Sequence, residues 1–325
     1  MKNKVLAFGE IMLRLTPANN NIINDCKSFD VCYGGTEANV LAGLSVLGEK
    51  TEYLTALPEN ELGDAVLKHL KSYGVGTKHI KRHGSVLGMY FLEEGFGARQ
   101  NNVIYNRSNS EVTHLDEDSF DYDFIFQDCS IFHISGISFA LSESVKGLCF
   151  KLLEEAKKRN ILISFDFNYR SKLWSIEAAG DVYRKIIPCA DIVFCSEKDL
   201  NVFLHTTASD FYDKYECKYL IVREREILPD GKHRAYVQGY VRQGDIVSKH
   251  QTEPLEFSVC ERIGAGDAFD AGVLHILNNN GNLQDAVNFG MSCFVLKHTI
   301  RGDVFTLNKE TINNYINKSL GDVCR

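Results

Sequence analysis

Short, almost wholly apolar runs punctuate the chain at Val5-Leu6-Ala7-Phe8, Ile131-Phe132-His133-Ile134, Ile161-Leu162-Ile163-Ser164-Phe165 and Asp191-Ile192-Val193-Phe194. A strand without a polar face must be buried on both sides, as in a parallel sheet covered by helices. Between them lie longer amphipathic stretches. From Glu143 to Arg159, Val145, Leu148, Leu152, Leu153 and Ala156 recur near helical spacing, and the next strand follows Asn160 at once. That succession predicts βαβ units and an α/β fold. Two regions, Ser28 to Tyr33 and Ser85 to Arg107, keep a different rhythm. In the second, Leu87, Met89, Phe91, Val103 and Tyr105 alternate with other residues, the pattern of strands covered on one face. A small accessory sheet outside the main one is expected. No repeat, low-complexity tract or Pro/Ser-rich linker divides the 325 residues, so the expectation is one domain spanning 1–325.

Composition narrows the classes of ligand. With 44% hydrophobic and 24% charged residues the chain can bury a large core, and a net charge of -7 opposes general attraction to nucleic acid or anionic membranes. An anionic ligand must therefore be held by a local site. The first apolar run stops at Gly9-Glu10, too short for the core of a signal peptide, and no stretch approaches membrane-spanning length. Ten scattered cysteines include no Cys-x-x-Cys pair, which fits reduced thiols in a cytoplasmic protein.

Candidate chemistry concentrates in Arg262-Ile263-Gly264-Ala265-Gly266-Asp267-Ala268-Phe269, followed by Ala271, Val273, Leu274 and Leu277 at helical spacing. Glycines opening a helix let the backbone approach a ligand, and the unpaired N–H groups of the first turn favour negative charge. Asp267 in that turn can face the same anion. The amides of Gly264, Ala265 and Gly266 could stabilise a phosphoryl group in transfer while the carboxylate accepts the proton of an attacking hydroxyl. Taken alone, Gly-x-Gly-Asp is as often an ordinary turn with a dipole-favoured aspartate. Two other nucleotide motifs fail on their letters. Phe269 stands where a dinucleotide fingerprint needs a third small residue, and Gly43-Leu44-Ser45-Val46-Leu47-Gly48-Glu49-Lys50-Thr51 has Glu49 between the glycine and the lysine of a P-loop. The latter reads better as a helix stopping at Gly48.

Paired with Gly34-Gly35-Thr36-Glu37-Ala38-Asn39 near the N-terminus, Gly264-Ala265-Gly266-Asp267 resembles the two signatures of the ribokinase-like (PfkB) family of carbohydrate kinases. Gly9-Glu10, Phe165-Asp166-Phe167-Asn168-Tyr169-Arg170 and Ser196-Glu197-Lys198-Asp199 match in order between them, so the likeness covers nearly the whole chain. There are departures. Ser196 and Asp199 replace an Asn and a Glu, Glu261 stands where Asp is common, and Leu220-Ile221-Val222-Arg223-Glu224-Arg225 lacks the glycine usual after the nucleotide-side strand. Within the family the chain is most similar to the 2-keto-3-deoxygluconate kinases, through Gly9 to Leu15, Gly34 to Val40, Gly88 to Glu93, Val103 to Arg107, Asn168 to Trp174 and Lys297 to Asp303.

The resemblance implies a three-layer α/β fold with a mostly parallel sheet and a β lid from about 11–33 and 84–108, closing over the sugar and joining subunits of a homo-oligomer. It implies ATP and Mg2+ as donor and cofactor, and a small-molecule sugar acid as acceptor. Asp267 would be the base, and Gly34, Gly35, Glu37, Asn39, Tyr90, Tyr105, Arg107, Arg170 and Asp303 would surround the sugar acid. Asn168, Ser196, Arg223, Gly264, Gly266 and Met291 would meet the nucleotide, with no direct metal ligand assigned and Asp199 reaching the ion through water. Arginine and tyrosine suit a carboxylate that a neutral sugar lacks. A ketose kinase of the same fold, a sugar-sensing protein and an NAD-dependent oxidoreductase are the alternatives.

Overall fold

The computed structural model describes residues 3–95 and 99–317; residues 96–98 of the expected second lid segment, and Cys324, lie outside the described residues. The first half of the chain runs β1 (Lys4–Phe8), β2 (Met12–Pro17), β3 (Phe29–Gly34), α1 (Thr36–Val46), β4 (Lys50–Leu54), β5 (Ala56–Leu57), α2 (Glu61–Ser72), β6 (Lys81–Arg82), β7 (Met89–Glu93), β8 (Asn102–Asn106), α3 (Tyr122–Ile125), β9 (Cys129–Ser135) and α4 (Glu143–Lys158). The second half runs β10 (Leu162–Asp166), α5 (Ile176–Ile186), β11 (Ile192–Cys195), α6 (Glu197–Asp199), β12 (Tyr219–Ile227), β13 (His233–Gln243), β14 (Ile246–Gln251), β15 (Leu255–Phe257), α7 (Ala265–Asn278), α8 (Leu283–Lys297) and α9 (Lys309–Ile316).

The main sheet has the order β14-β13-β12-β11-β10-β9-β1-β4, with β15 also on β13. Pairing is parallel from β4 through β12 and antiparallel beyond. Side chains alternate across a strand, so one unbroken apolar run feeds two cores. In β1, Leu6 and Phe8 pack with Val145, Leu148 and Leu152 of α4, while Val5 and Ala7 pack with Leu41, Phe269 and Val287 of α1, α7 and α8. This is the expected three-layer arrangement. His133, 0% exposed, is a core histidine with Nδ1 at 2.9 Å from Ser164 Oγ.

A four-stranded sheet of order β3-β2-β7-β8 lies apart from the main sheet, with β2 parallel to β7 and the outer pairs antiparallel. Its β8 shows strict alternation, Val103 and Tyr105 being half-buried and Asn102, Ile104 and Asn106 exposed, as a singly covered sheet requires. Near the apparent P-loop, α1 ends at Val46 and Gly48 takes a φ of 94°, a left-handed helix stop. Lys50 opens β4 and is exposed.

Candidate active site

Helix starts define the site. Asn60, Ser142, Ser175, Asn282 and Asn308 cap α2, α4, α5, α8 and α9 by accepting amide hydrogens. Helices α1 and α7 instead begin at Gly35 and Gly264, neither of which supplies a side-chain acceptor. With no side-chain cap these helix starts offer backbone amides to a ligand, although the Ala265 amide reaches the Arg262 carbonyl at 3.5 Å. Both glycines are forced by close approach: a Cβ on Gly35 would lie 2.0 Å from the Glu10 carbonyl oxygen, and one on Gly264, whose φ is 74°, 1.8 Å from that of Asp303.

The two helix starts meet at Asp267. Thr36 Oγ1 donates to its Oδ1 at 2.6 Å and Asn39 Nδ2 to its Oδ2 at 2.7 Å. Asn168 Nδ2 donates to Thr36 Oγ1 at 2.7 Å from a backbone with φ of 38°, an uncommon conformation for a residue with a side chain. Burial raises the Asp267 pKa above its ordinary value, and the two donors pull in the opposite direction. Thr36 thus belongs to the site, which its position in the glycine motif, three residues before Asn39 on one helix face, could have disclosed.

Two further carboxylates lie beneath. Asp166 ends β10, and Asp270, one turn after Asp267, is 1% exposed with no hydrogen-bond partner for either carboxylate oxygen among the described residues. Burial raises both pKa values, and repulsion from Asp267, joined at Asp270 by that from Asp166, adds to it against the opposing charge of Arg223. Arg223 Nη1 stands 3.5 Å from the Gly266 carbonyl oxygen and 3.8 Å from Asp270 Oδ1, and its guanidinium lies over the rings of Phe269 and Phe294. Arg170 is exposed beside Asp166 and Asp267 and donates to the carbonyls of Asn168 and Tyr169.

The small sheet is tied to this floor through Asp303. Tyr90 of β7 donates to Asp303 Oδ2 at 3.0 Å, and Arg14 of β2 pairs with Asp303 Oδ1 at 2.9 Å and with Glu261. Glu261 also accepts the Gly302 amide at 2.7 Å. Burial pushes Asp303 up to about 6, with Arg14 opposing. A Cβ on Gly34 would strike Asp303 Oδ2 at 1.9 Å, so Gly34, Tyr90, Gly264 and Asp303 converge. At the rim, Tyr105 lies 5.9 Å from the Tyr90 ring, with Arg107 and Lys172 over its face. Arg107 bonds to Glu10, whose other oxygen accepts Ser110 Oγ at 2.5 Å.

Four of the expected residues have their own partners or surroundings within the protein. Glu37 is 1% exposed: its Oε1 accepts the Ser135 amide, Ser135 Oγ and Ser138 Oγ, tying α1 to the end of β9. Met291 is 1% exposed within the core that α7 and α8 share with the sheet. Ser196 and Asp199 satisfy one another in a capping box at α6, which explains why Asp can stand in for a longer acid there. Among the described residues no group of three or more His, Cys, Asp or Glu forms a metal cage. Asp166 and Asp270 lie close to the start of α7, and carboxylate oxygens are donors of the kind a hard ion such as Mg2+ takes while it keeps water as most of its ligands.

Known proteins agree with this geometry. Residues 2–303 match the pfkB family carbohydrate kinase model. A 2-dehydro-3-deoxygalactonokinase of Haloferax volcanii is 30% identical over 322 residues, 97% of this chain and 97% of its own. The crystal structure of 2-dehydro-3-deoxygluconokinase from Thermotoga maritima superposes with a TM-score of 0.92 at 32% identity, covering 97% of this chain and 99% of that one. An E. coli protein described as a ribokinase II, solved with ATP and Mg2+, shares the fold with a TM-score of 0.82 at 21% identity, covering 97% of this chain and 99% of that one. Among the described residues no helix is long and apolar enough to cross a membrane. With its matching family signature and a relative of equal length, this chain belongs to the PfkB family of carbohydrate kinases.

Proposed function

We propose that the chain transfers the γ-phosphoryl group of ATP to the 6-hydroxyl of 2-dehydro-3-deoxy-D-gluconate, giving the 6-phosphate and ADP. The observation that carries the reading is Asp267, buried between two uncapped helix starts and held by Thr36 and Asn39. In the reaction the sugar hydroxyl loses its proton to Asp267, its oxygen bonds to the phosphorus, and the bond to the ADP oxygen breaks. The Gly264, Ala265 and Gly266 amides take up charge on the transferred group, with Arg223 beside them. Bound Mg2+ would neutralise phosphate oxygens, with Asp166 and Asp270 nearest for direct or water-mediated contact and Asp199 more remote.

For the acceptor, Gly34, Gly35, Asn39, Tyr90 and Asp303 would line the sugar side, and Tyr105, Arg107 and Arg170, joined by Lys172, give the rim cations suited to a carboxylate. The likeness to the 32% identical 2-dehydro-3-deoxygluconokinase supports that acceptor. A second reading, the galactonate epimer, is favoured by the 30% identical 2-dehydro-3-deoxygalactonokinase. A homo-oligomer joined through the small sheet, acting in the cytoplasm, completes the proposal. ADP release measured over both epimers, fructose and ribose tests it: preference for either sugar acid supports the class, and preference for a neutral ketose removes it.

A further inference from the structure

Strand β12 carries alternating charge, Arg223-Glu224-Arg225-Glu226, and alternation sends the two signs to opposite faces. The acids are engaged. Glu224 Oε1 accepts the Glu197 amide at 2.7 Å, and Glu226 pairs with Arg234 on β13. Arg223 and Arg225 share the face of Ile221, which packs toward α7 and α8. Arg223 reaches Gly266, and Arg225 follows about 6.6–6.8 Å further along the strand.

Arg262 completes a triangle. The amides of Cys260 and Glu261 donate to the carbonyl of His298, whose ring lies against His233 and Phe257. His233 pairs with Ile227, and Ala235 with Arg225, so the register brings Arg262 and Arg225 to the same corner. Both side chains are exposed, and among the described residues neither forms an ion pair. Partial burial, then repulsion from Arg262 and Arg223, brings the Arg225 pKa down to about 10. The pKa of His233 is lowered in turn by burial, Arg225 and Arg262. Arg223 faces the carboxylates of Asp166, Asp267 and Asp270, whereas Arg225 and Arg262 have no ion-pair partner among the described residues and repel one another until an anion arrives.

We propose that Arg223, Arg225 and Arg262 form a polyphosphate track leading from the Gly264–Gly266 helix start outward along β12, so that donor affinity resides chiefly in the phosphate chain. The inference rests on the reading of Asp267 and the glycines as a phosphoryl-transfer centre, and it deepens that reading on the donor side. The track replaces the glycine-bearing turn missing after this strand: a ligand is gripped by charged side chains rather than by close approach to bare backbone.

Calorimetry without any sugar separates the two levels of the argument. The expected result is that inorganic tripolyphosphate binds and competes with ATP, with affinities within about tenfold, and that binding weakens steeply with added salt. Arg225→Ala and Arg262→Ala should each weaken ATP and tripolyphosphate about tenfold in parallel, Arg225→Lys should recover part of the loss, and Arg234→Ala should change nothing. Normal ATP affinity in both alanine variants, or ATP binding with no tripolyphosphate binding, overturns the track and leaves the kinase reading intact. Absence of ATP binding in the wild type overturns both. Circular dichroism of each variant confirms that losses are not misfolding.

Discussion

The carboxylate of Asp267 and the carboxamide of Asn39, 228 residues apart in the chain, are joined by a hydrogen bond of 2.7 Å. That contact closes the first turn of α7 on the first turn of α1 and brings the two glycine motifs into one site. If Asp267 is the base, Asp267→Asn should keep the shape of the pair and lower turnover by about a hundredfold or more, with ATP affinity little changed. Steady-state kinetics beside ATP titration checks this; near-normal turnover in a folded variant removes Asp267 from the chemistry.

The same contact predicts a pH effect. Burial raises the Asp267 pKa and the Asn39 and Thr36 donors restrain it. The base works ionised, so activity falls as pH drops through its pKa. Asn39→Ala removes one restraint, and the acidic limb of the kcat profile should move to higher pH. A lower kcat with an unmoved limb would assign Asn39 to packing alone.

Which parts could be read from the chain follows from where the signal lies. The buried parallel strands, the accessory sheet and the helix stop at Gly48 are written in local periodicity and turn chemistry, and each is present. Asp267 and its glycines are a contiguous motif. Arg14 and Glu261 are different: they meet across 247 residues, and nothing local distinguishes a buried, paired Arg14 from a surface one on an alternating strand. The Glu37 contacts with Ser135 and Ser138 were hidden for a related reason, since a carboxylate in a first helical turn reads the same whether it faces a cleft or the neighbouring strand. Met291 lies on a helix buried on most sides, where apolar spacing cannot single out a ligand-facing position.

Arg107 now carries two expectations. Its partner Glu10 is 4% exposed, so Arg107→Ala should cost about 3 kcal/mol of stability by stranding a buried charge, and adding Glu10→Gln should return part of it. If the guanidinium also serves the sugar acid, kcat/KM for that acceptor should remain depressed in the double variant. Denaturation midpoints and kinetics together separate the roles.

Asp270 should be a stability liability at neutral pH. Its folded pKa is raised well above the ordinary value by burial, so ionisation costs folding free energy once pH exceeds that ordinary value, increasingly as pH rises. Asp270→Asn should therefore raise Tm near pH 8 and change it little near pH 4. A lower Tm near pH 8 would mean that Arg223 and other neighbours more than compensate the charge.

Lys50 stands exposed at the amino end of β4, whereas Asp166 ends β10 at the carboxyl edge of the parallel strands. Lys50→Ala should keep most activity and ATP affinity if, as proposed, amides and arginines carry the phosphate charge. Loss of ATP binding by titration would restore the P-loop reading of Gly43 to Thr51.

The central claim is acceptor class, and ADP release by the wild-type chain measures it most directly. With ATP and Mg2+ supplied, kcat/KM should be highest for 2-dehydro-3-deoxy-D-gluconate or its galactonate epimer and at least about tenfold lower for fructose and ribose, a ratio worth about 1.4 kcal/mol of transition-state binding to the carboxylate. Equal or greater kcat/KM for fructose, or no ADP release with either sugar acid, would contradict it.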